Sequence, residues 1–148
     1  MCAIAAGARG KRVVLLDHND QVGAKILISG GGRCNFTNIG TIPQNFLSEN
    51  THFCRSALSR YTPADFLVLI ARHGITWHEK TLGQLFCDGS ARQIVAMLLA
   101  ECAATGVQVE LNAKVTDLRK SDSFTIETQK DVFTAPNIVL ATGQGAAG

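Results

Sequence analysis

The stretch Lys25–Asn38 reads KILISGGGRCNFTN: a short apolar lead, three consecutive glycines, then a run of polar donors and acceptors. Gly30, Gly31 and Gly32 can take positive φ and carry no side chains, so the backbone can bend sharply there and approach a ligand closely. Such a bend turns successive backbone N–H groups toward one point and forms an anion-binding concavity. Arg33 adds a fixed-charge fork suited to phosphate or a flavin-like edge. Asn35, Thr37 and Asn38 add neutral hydrogen-bonding groups. The stretch is expected to be a cofactor cradle, and the competing reading is a solvent-exposed loop that merely turns the chain.

Length and composition set bounds on what surrounds it. At 148 residues the chain is the size of one domain and long enough to bury a core. Fourteen Lys and Arg stand against 12 Asp and Glu, with no run of like charges, which argues against nucleic acid or a charged membrane surface as partner. Apolar runs such as Ile94–Ala100 are too short to span a bilayer. Met1–Ala8 has no basic region of the kind that opens a signal peptide, so a cytoplasmic location is expected.

Five cysteines, Cys2, Cys34, Cys54, Cys87 and Cys102, form no C-x-x-C, so neither a zinc site nor a dithiol motif is expected. Cys34 is either a thiol activated by Arg33 and the loop N–H groups or, the preferred reading, a small packing residue or cofactor contact. The other four read as core.

Working outward, Met1–Ala8 reads as a helix ended by Gly10. Val13–Leu16 is a continuous apolar run that suits a parallel strand buried on both faces, and it closes with Asp17. In a Rossmann unit an acidic residue at that place accepts hydrogen bonds from ribose hydroxyls; the plainer alternative is an Asp capping the turn Asp17–Asp20. Ile39–Asn50 reads as loop, with a helix from Ser48 or Asn50 to Arg60. Thr62-Pro63-Ala64-Asp65 starts a helix that places Phe66, Leu67, Leu69 and Ile70 on one side and ends at Gly74. Ile75–Asp88 holds two short strands about a turn at Thr81–Gly83; Trp77, His78 and Glu79 there read as a surface or packing group before a catalytic one. Ser90 caps a helix Ala91–Ala104 with a core stripe of Ile94, Val95, Leu98 and Leu99. From Val107 the pattern turns to β, with a meander over 114–134 and a last apolar run, Ile138–Ala141, read as a buried strand.

The string AKILISGGGRCNFTN resembles the signature of the BaiN-like bacterial FAD-dependent oxidoreductases, within the glutathione-reductase-type superfamily with two dinucleotide-binding domains. The similarity continues through SENTHFCRSAL and GITWHEKTLGQLFCDGSARQIVAMLL and ends in the strand and turn IVLATG. It covers nearly the whole chain but only the first third of a typical family member. The fold implied is α/β: a Rossmann-like FAD-binding domain whose parallel sheet carries a small antiparallel meander and lacks its first strand. The chain then divides into a helix, strand and glycine-rich loop over 1–38, a helical segment with short strands over 39–106, and the meander and final strand over 107–148.

The resemblance also implies roles. Asp17 would hold ribose; Lys25 and the loop of Gly30, Gly31, Gly32, Arg33, Cys34 and Asn35 would approach the pyrophosphate and flavin. Val115 would offer backbone groups near the adenine, and Ala141, Thr142 and Gly143 would pass close to the cofactor. The intact enzyme would move a hydride from NAD(P)H through FAD to a small organic substrate such as an unsaturated ring or enone, with the cofactor carrying the chemistry. No catalytic acid or base is named by it, and no metal is expected.

Two features leave alternatives open. The tail IVLATGQGAAG places Gly143, Gly145 and Gly148 in G-x-G-x-x-G spacing directly after a strand-like run. Either the chain lacks its first strand and phosphate loop, the favoured reading, or tail and head record a circular permutation. The rival functional reading is a non-catalytic module that binds nucleotide weakly and self-associates through exposed sheet edges. A third, flavin chemistry on RNA, is disfavoured by the near-neutral charge.

Overall fold

The computed structural model describes residues 1–142. Its elements run α1 (Cys2–Gly7), β1 (Val14–Leu16), α2 (Ala24–Ile28), a 3-10 turn (Ser29–Gly32), β2 (Asn35–Asn38), a second 3-10 turn (Pro43–Asn45), α3 (Arg55–Arg60), α4 (Pro63–Arg72), β3 (Trp77–Glu79), β4 (Gln84–Cys87), α5 (Ala91–Ala104), β5 (Gln108–Glu110), β6 (Val115–Lys120), β7 (Phe124–Thr128) and β8 (Val132–Ala135). The chain forms two units, one from Met1–Val13 and Val22–Gln108, the other from Val14–Gln21 and the residues from Val109 on. The result is a mixed α/β fold with parallel and antiparallel pairing.

In the first unit the local signals act as their chemistry dictates. Ser90 accepts a hydrogen bond from the N–H of Arg92, and Gln93 reaches back to the N–H of Ser90, so α5 opens with both orphan donors satisfied. Thr62 and Asp65 make the same exchange at the start of α4, and Pro63 occupies the first helical position, where its missing N–H costs nothing. The hydroxyl and N–H of Thr62 hold the Asp65 carboxyl below its ordinary range.

The core of this unit gathers Leu69 and Ile70 of α4, Ile75, Cys87 of β4, Ala91, Ile94 and Met97 of α5, and Cys34; Ile26, Leu27, Phe36, Phe66 and Leu98 pack against it. The α5 stripe therefore differs from the expected one. Met97 is buried, whereas Leu99 is 39% exposed. Residues 94, 97 and 98 lie within one turn's arc, and position 99 has already rotated past it.

Two elements fall where none was expected. The apolar lead of the glycine loop is helix α2, and Asn35–Asn38 is strand β2. β2 pairs antiparallel with β4, which pairs with β3 in the order β2-β4-β3. The expected hairpin of β3 and β4 forms as read. The helix expected from Ser48 or Asn50 is confined to α3, which begins at Arg55.

In the second unit β1 pairs with β5. The N–H of Gln108 donates to Val13, and that of Asp17 to Glu110, so the bonds step along both strands in one direction and the ladder is parallel. The meander β6-β7-β8 is antiparallel, with Ile126 of β7 buried. The expected buried strand Ile138–Ala141 is not formed: these residues join no sheet among the described residues, and Val139 and Leu140 are 66% and 71% exposed. A continuous apolar run becomes a buried strand only where neighbours flank both its edges, and no described strand flanks this one.

Candidate cofactor site

The glycine loop is a turn that glycine alone adopts readily. Gly30 and Gly31 take left-handed helical angles (φ 57°, ψ 30° and φ 65°, ψ 34°), and Gly32 follows at φ 84°. Each such residue would cost an L-amino acid roughly 1–2 kcal/mol. Hydrogen bonds from the N–H of Cys34 to Ser29 at 3.1 Å and of Arg33 to Gly30 at 3.4 Å close the turn.

Both ends of the loop are fixed by packing. Ile26 and Leu27 of α2 hold its entry against the core, and Cys34 and Phe36 hold its exit. The carbonyl of Arg33 accepts the N–H of Cys87 at 2.9 Å, which ties the loop to β4. Cys34 is itself left-handed, at φ 54°, and its side chain is 5% exposed. Its place is in the core beneath the loop, beside Cys87, whose thiol burial pushes up to about 11 with a further push from Cys34. The packing reading of Cys34 is the one this geometry carries.

The polar candidates face the other way. Lys25, Arg33 and Asn35 are exposed, and neither the Lys25 nor the Arg33 side chain makes a hydrogen bond or ion pair with a described residue. The Arg33 charge helps hold the Asp88 carboxyl below its ordinary range, behind the larger effects of hydrogen bonds from His78 and Thr76. Asn38 is spent on structure: its Nδ2 donates to the carbonyl of Leu82 at 2.8 Å and its Oδ1 accepts the N–H of Gly40 at 2.8 Å.

Asp17, Val115, Ala141 and Thr142 belong to the second unit. At the end of β1, Asp17 Oδ1 accepts the N–H of Asn19 at 3.0 Å and its Nδ2 at 2.8 Å, so the carboxylate does cap its own turn. Oδ2 makes no hydrogen bond with a described residue and remains able to accept from a hydroxyl. Val115 opens β6, 47% exposed, across from Thr128. Ala141 and Thr142 are exposed and lie in no helix or strand. Gly143, with Gly145 and Gly148, lies outside the described residues.

One arrangement was not read from the sequence. The hairpin β3–β4 brings His78 opposite Phe86, and His78 Nδ1 lies 2.7 Å from Asp88 Oδ1. Phe86, 7% exposed, lies against Gly30. His78 and Asp88 are ten residues apart, and the signal for their meeting was the hairpin register once its turn was placed at Thr81–Gly83.

A flavin adenine dinucleotide presents a doubly charged pyrophosphate, ribose hydroxyls and a ring edge of donors and acceptors. The residues here fit it. The loop's outer side is open, with nothing within 4 Å of where a Cβ on Gly31 would stand. Lys25 and Arg33, exposed and without a hydrogen bond or ion pair to a described residue, stand on or next to that loop. In the second unit, Asp17 keeps one carboxylate oxygen without a described hydrogen-bond partner.

The chain is 50% identical over 143 residues to the ribosomal RNA dihydrouridine synthase of Escherichia coli K12, covering 96% of the chain and 36% of that protein. It is 44% identical over 147 residues to the Haemophilus influenzae protein of the same name, covering 96% and 37%. The 3-dehydro-bile acid delta(4,6)-reductase of Clostridium scindens is 27% identical over 139 residues, covering 92% and 34%. The chain thus spans little more than a third of the length of these relatives. Among solved structures, Thermovibrio ammonificans THI4 superposes with a TM-score of 0.50 at 10% identity, over 89% of this chain and 47% of that one. The Diels-Alderase PyrE3 of pyrroindomycin biosynthesis superposes with a TM-score of 0.51 at 16% identity, over 89% and 27%. At such identities the likeness is one of fold. The profile of the HI0933-like protein Rossmann domain matches residues 1–148, and the chain belongs to that family.

Proposed function

We propose that this chain is the FAD-binding portion of a longer flavin-dependent oxidoreductase that takes a hydride from NAD(P)H and saturates a carbon–carbon double bond conjugated to a carbonyl. The observation that carries the reading is the loop of three left-handed glycines, open on its outer side, with Arg33 and Lys25 unengaged beside it. Dihydrouridine is uridine with the C5=C6 bond of its ring saturated, and a delta(4,6)-reductase saturates a conjugated bond of a steroid ring. The relatives' names therefore share one chemistry, and the 50% identity favours uridine in ribosomal RNA as the substrate. The near-neutral charge is a property of this chain alone; an RNA-binding surface would lie in the rest of the enzyme, and the location would be cytoplasmic.

Within that reading Arg33, Lys25, Asn35 and the N–H groups of Gly30–Gly32 hold the pyrophosphate and ring edge. Asp17 accepts a ribose hydroxyl, and the backbone near Val115 meets the adenine. Ala141, Thr142 and Gly143 would come close to the cofactor. Cys34 anchors the loop from below. When bound, FAD supplies the two-electron hydride chemistry that no side chain can provide. The protein's own part is to orient it and to exclude water.

The exposed Val139 and Leu140 favour a second reading for the chain by itself: a self-associating fragment. A visible absorption spectrum after incubation with FAD and removal of the excess decides between the two. A retained flavin band, weakened in Arg33→Gln, supports the cofactor role. A colourless protein that elutes as an oligomer sinks it.

A further inference from the structure

We infer that His78 is the proton donor of the proposed reduction and that Asp88 is the residue that positions it. The inference rests on the reading that the enzyme saturates a conjugated double bond. Such a bond needs two additions: a hydride at one carbon and a proton at the other, next to the carbonyl.

Asp88 is an acceptor because its carboxyl is held below the ordinary range, first by His78 itself and then by Thr76. The 2.7 Å bond is therefore donated by Nδ1–H of His78. This orients the ring and leaves Nε2, which makes no hydrogen bond to a described residue, facing outward. The ring also lies on Phe86, with centroids 6.3 Å apart and planes 21° from parallel. The same phenyl ring meets Gly30: a Cβ built there would stand 2.6 Å from Phe86 Cε1. Imidazole and glycine loop thus share one aromatic support.

The charges about His78 are few. Lys80 Nζ lies 5.4 Å from the centroid of Phe86, and Arg33 acts on Asp88 from the loop. Glu79 is turned to the N–H of Gly83 at 3.0 Å.

The other candidates for a donor fall away on geometry. His73 has its Nε2 2.7 Å from Glu101 and is committed to joining α4 and α5. His18 lies 3.9 Å from Asp17, a loose approach, and His52 is exposed with no carboxylate ion pair. Cys34 and Cys87, the cysteines in and beside the loop, are buried in the core. His78 is 41% exposed at its side chain, so a substrate can reach it.

The step balances with groups already named. The flavin, when bound, would supply the hydride with its electron pair to the substrate's β-carbon, and the substrate's π electrons would move onto the carbonyl side as an enolate. The enolate so formed on the substrate takes the Nε2 proton of His78, which enters the step as the imidazolium protonated on both nitrogens, at the carbon beside the carbonyl. Neutral His78 is then reprotonated by water, while Asp88 keeps the proton on Nδ1.

The test uses the complete enzyme with unmodified ribosomal RNA as substrate, and measures the two half-reactions separately by the flavin absorbance. In His78→Gln, reduction by NAD(P)H should proceed at the wild-type rate, while reoxidation by RNA slows about 100-fold or more. In Asp88→Asn, reoxidation should slow about tenfold through kcat with KM held, and 15N NMR of histidine-labelled, ligand-free protein should show His78 losing its Nδ1–H tautomer. A His78→Gln enzyme that reoxidises at the wild-type rate, or a wild-type His78 carrying Nε2–H when neutral, overturns the inference and leaves the function standing. A wild-type enzyme that RNA cannot reoxidise overturns both.

Discussion

Gly30 is pressed against Phe86: a Cβ on the glycine would stand 2.6 Å from the ring's Cε1 and 2.8 Å from the backbone nitrogen of Asn35. Gly30→Ala meets a left-handed backbone, a buried ring and an immovable main-chain atom together. It should cost about 2–4 kcal/mol in urea unfolding. Gly31→Ala, with the same sign of φ but open space, should cost only about 1 kcal/mol. Equal losses at the two sites would show that the loop yields around Phe86.

The Arg33 and Lys25 side chains make no hydrogen bond or ion pair with a described residue, and Arg33 exerts only a minor charge effect on Asp88. Arg33→Gln and Lys25→Gln should leave stability within about 0.5 kcal/mol of wild type. FAD affinity by calorimetry should fall about tenfold for Arg33, whose fork can grip two phosphate oxygens, and less for Lys25. A large stability loss in either variant would mean that the side chain is structural.

Glu101 joins α5 to the end of α4. Its carboxyl lies 2.7 Å from His73 Nε2 and 2.9 Å from Arg72, and is 18% exposed. The hydrogen bond from His73, with the charges of Arg72 and His73 behind it, depresses the Glu101 pKa despite its burial. A depressed carboxyl stabilises the fold above its unfolded value, about 4.3, and that contribution is lost as pH falls through the lower folded value. Glu101→Gln should therefore cost about 1–2 kcal/mol at neutral pH, and the gap from wild type should close under acid. A gap that persists unchanged at low pH would assign the loss to packing.

The cap of α5 is worth a measurable share of stability because that helix carries Ile94 and Met97 into the core. Ser90→Ala removes the acceptor for the Arg92 N–H and should cost about 1 kcal/mol. Ser90→Asp should recover most of it. An Ala variant as stable as wild type would mean that the Gln93 half of the exchange suffices.

What was legible in the sequence was whatever local chemistry decides. Ser90 and Thr62 announce their helices because capping is settled within four residues, and the turn at Thr81–Gly83 announces its hairpin. β2 gave no such notice. Asn-Phe-Thr-Asn is a strand because β4, some fifty residues on, offers it a ladder. Ile138–Ala141 shows the converse, a strand-like run without a ladder. At the loop, the left-handed turn of Gly30–Gly32 could be read directly, since glycine alone adopts those angles without cost. For Cys34 the sequence left packing and cofactor contact side by side, because its exposure depends on which way a left-handed turn aims it. Asp88 was missed because its relation to His78 exists only across the folded hairpin.

The β1–β5 ladder ties residues 14–16 to residues 108–110, and most of the chain between them, from Val22 on, belongs to the first unit. During synthesis β1 emerges before β5 and must wait, at roughly 5–20 residues per second, for several seconds before its partner exists. The intervening helices and hairpin make their own contacts first and shorten the span that remains to be closed. A mutation that slows that inner unit leaves β1 unpaired for longer beside the ribosome. The entropy of closing the ladder thus depends on helices that take no part in its hydrogen bonds.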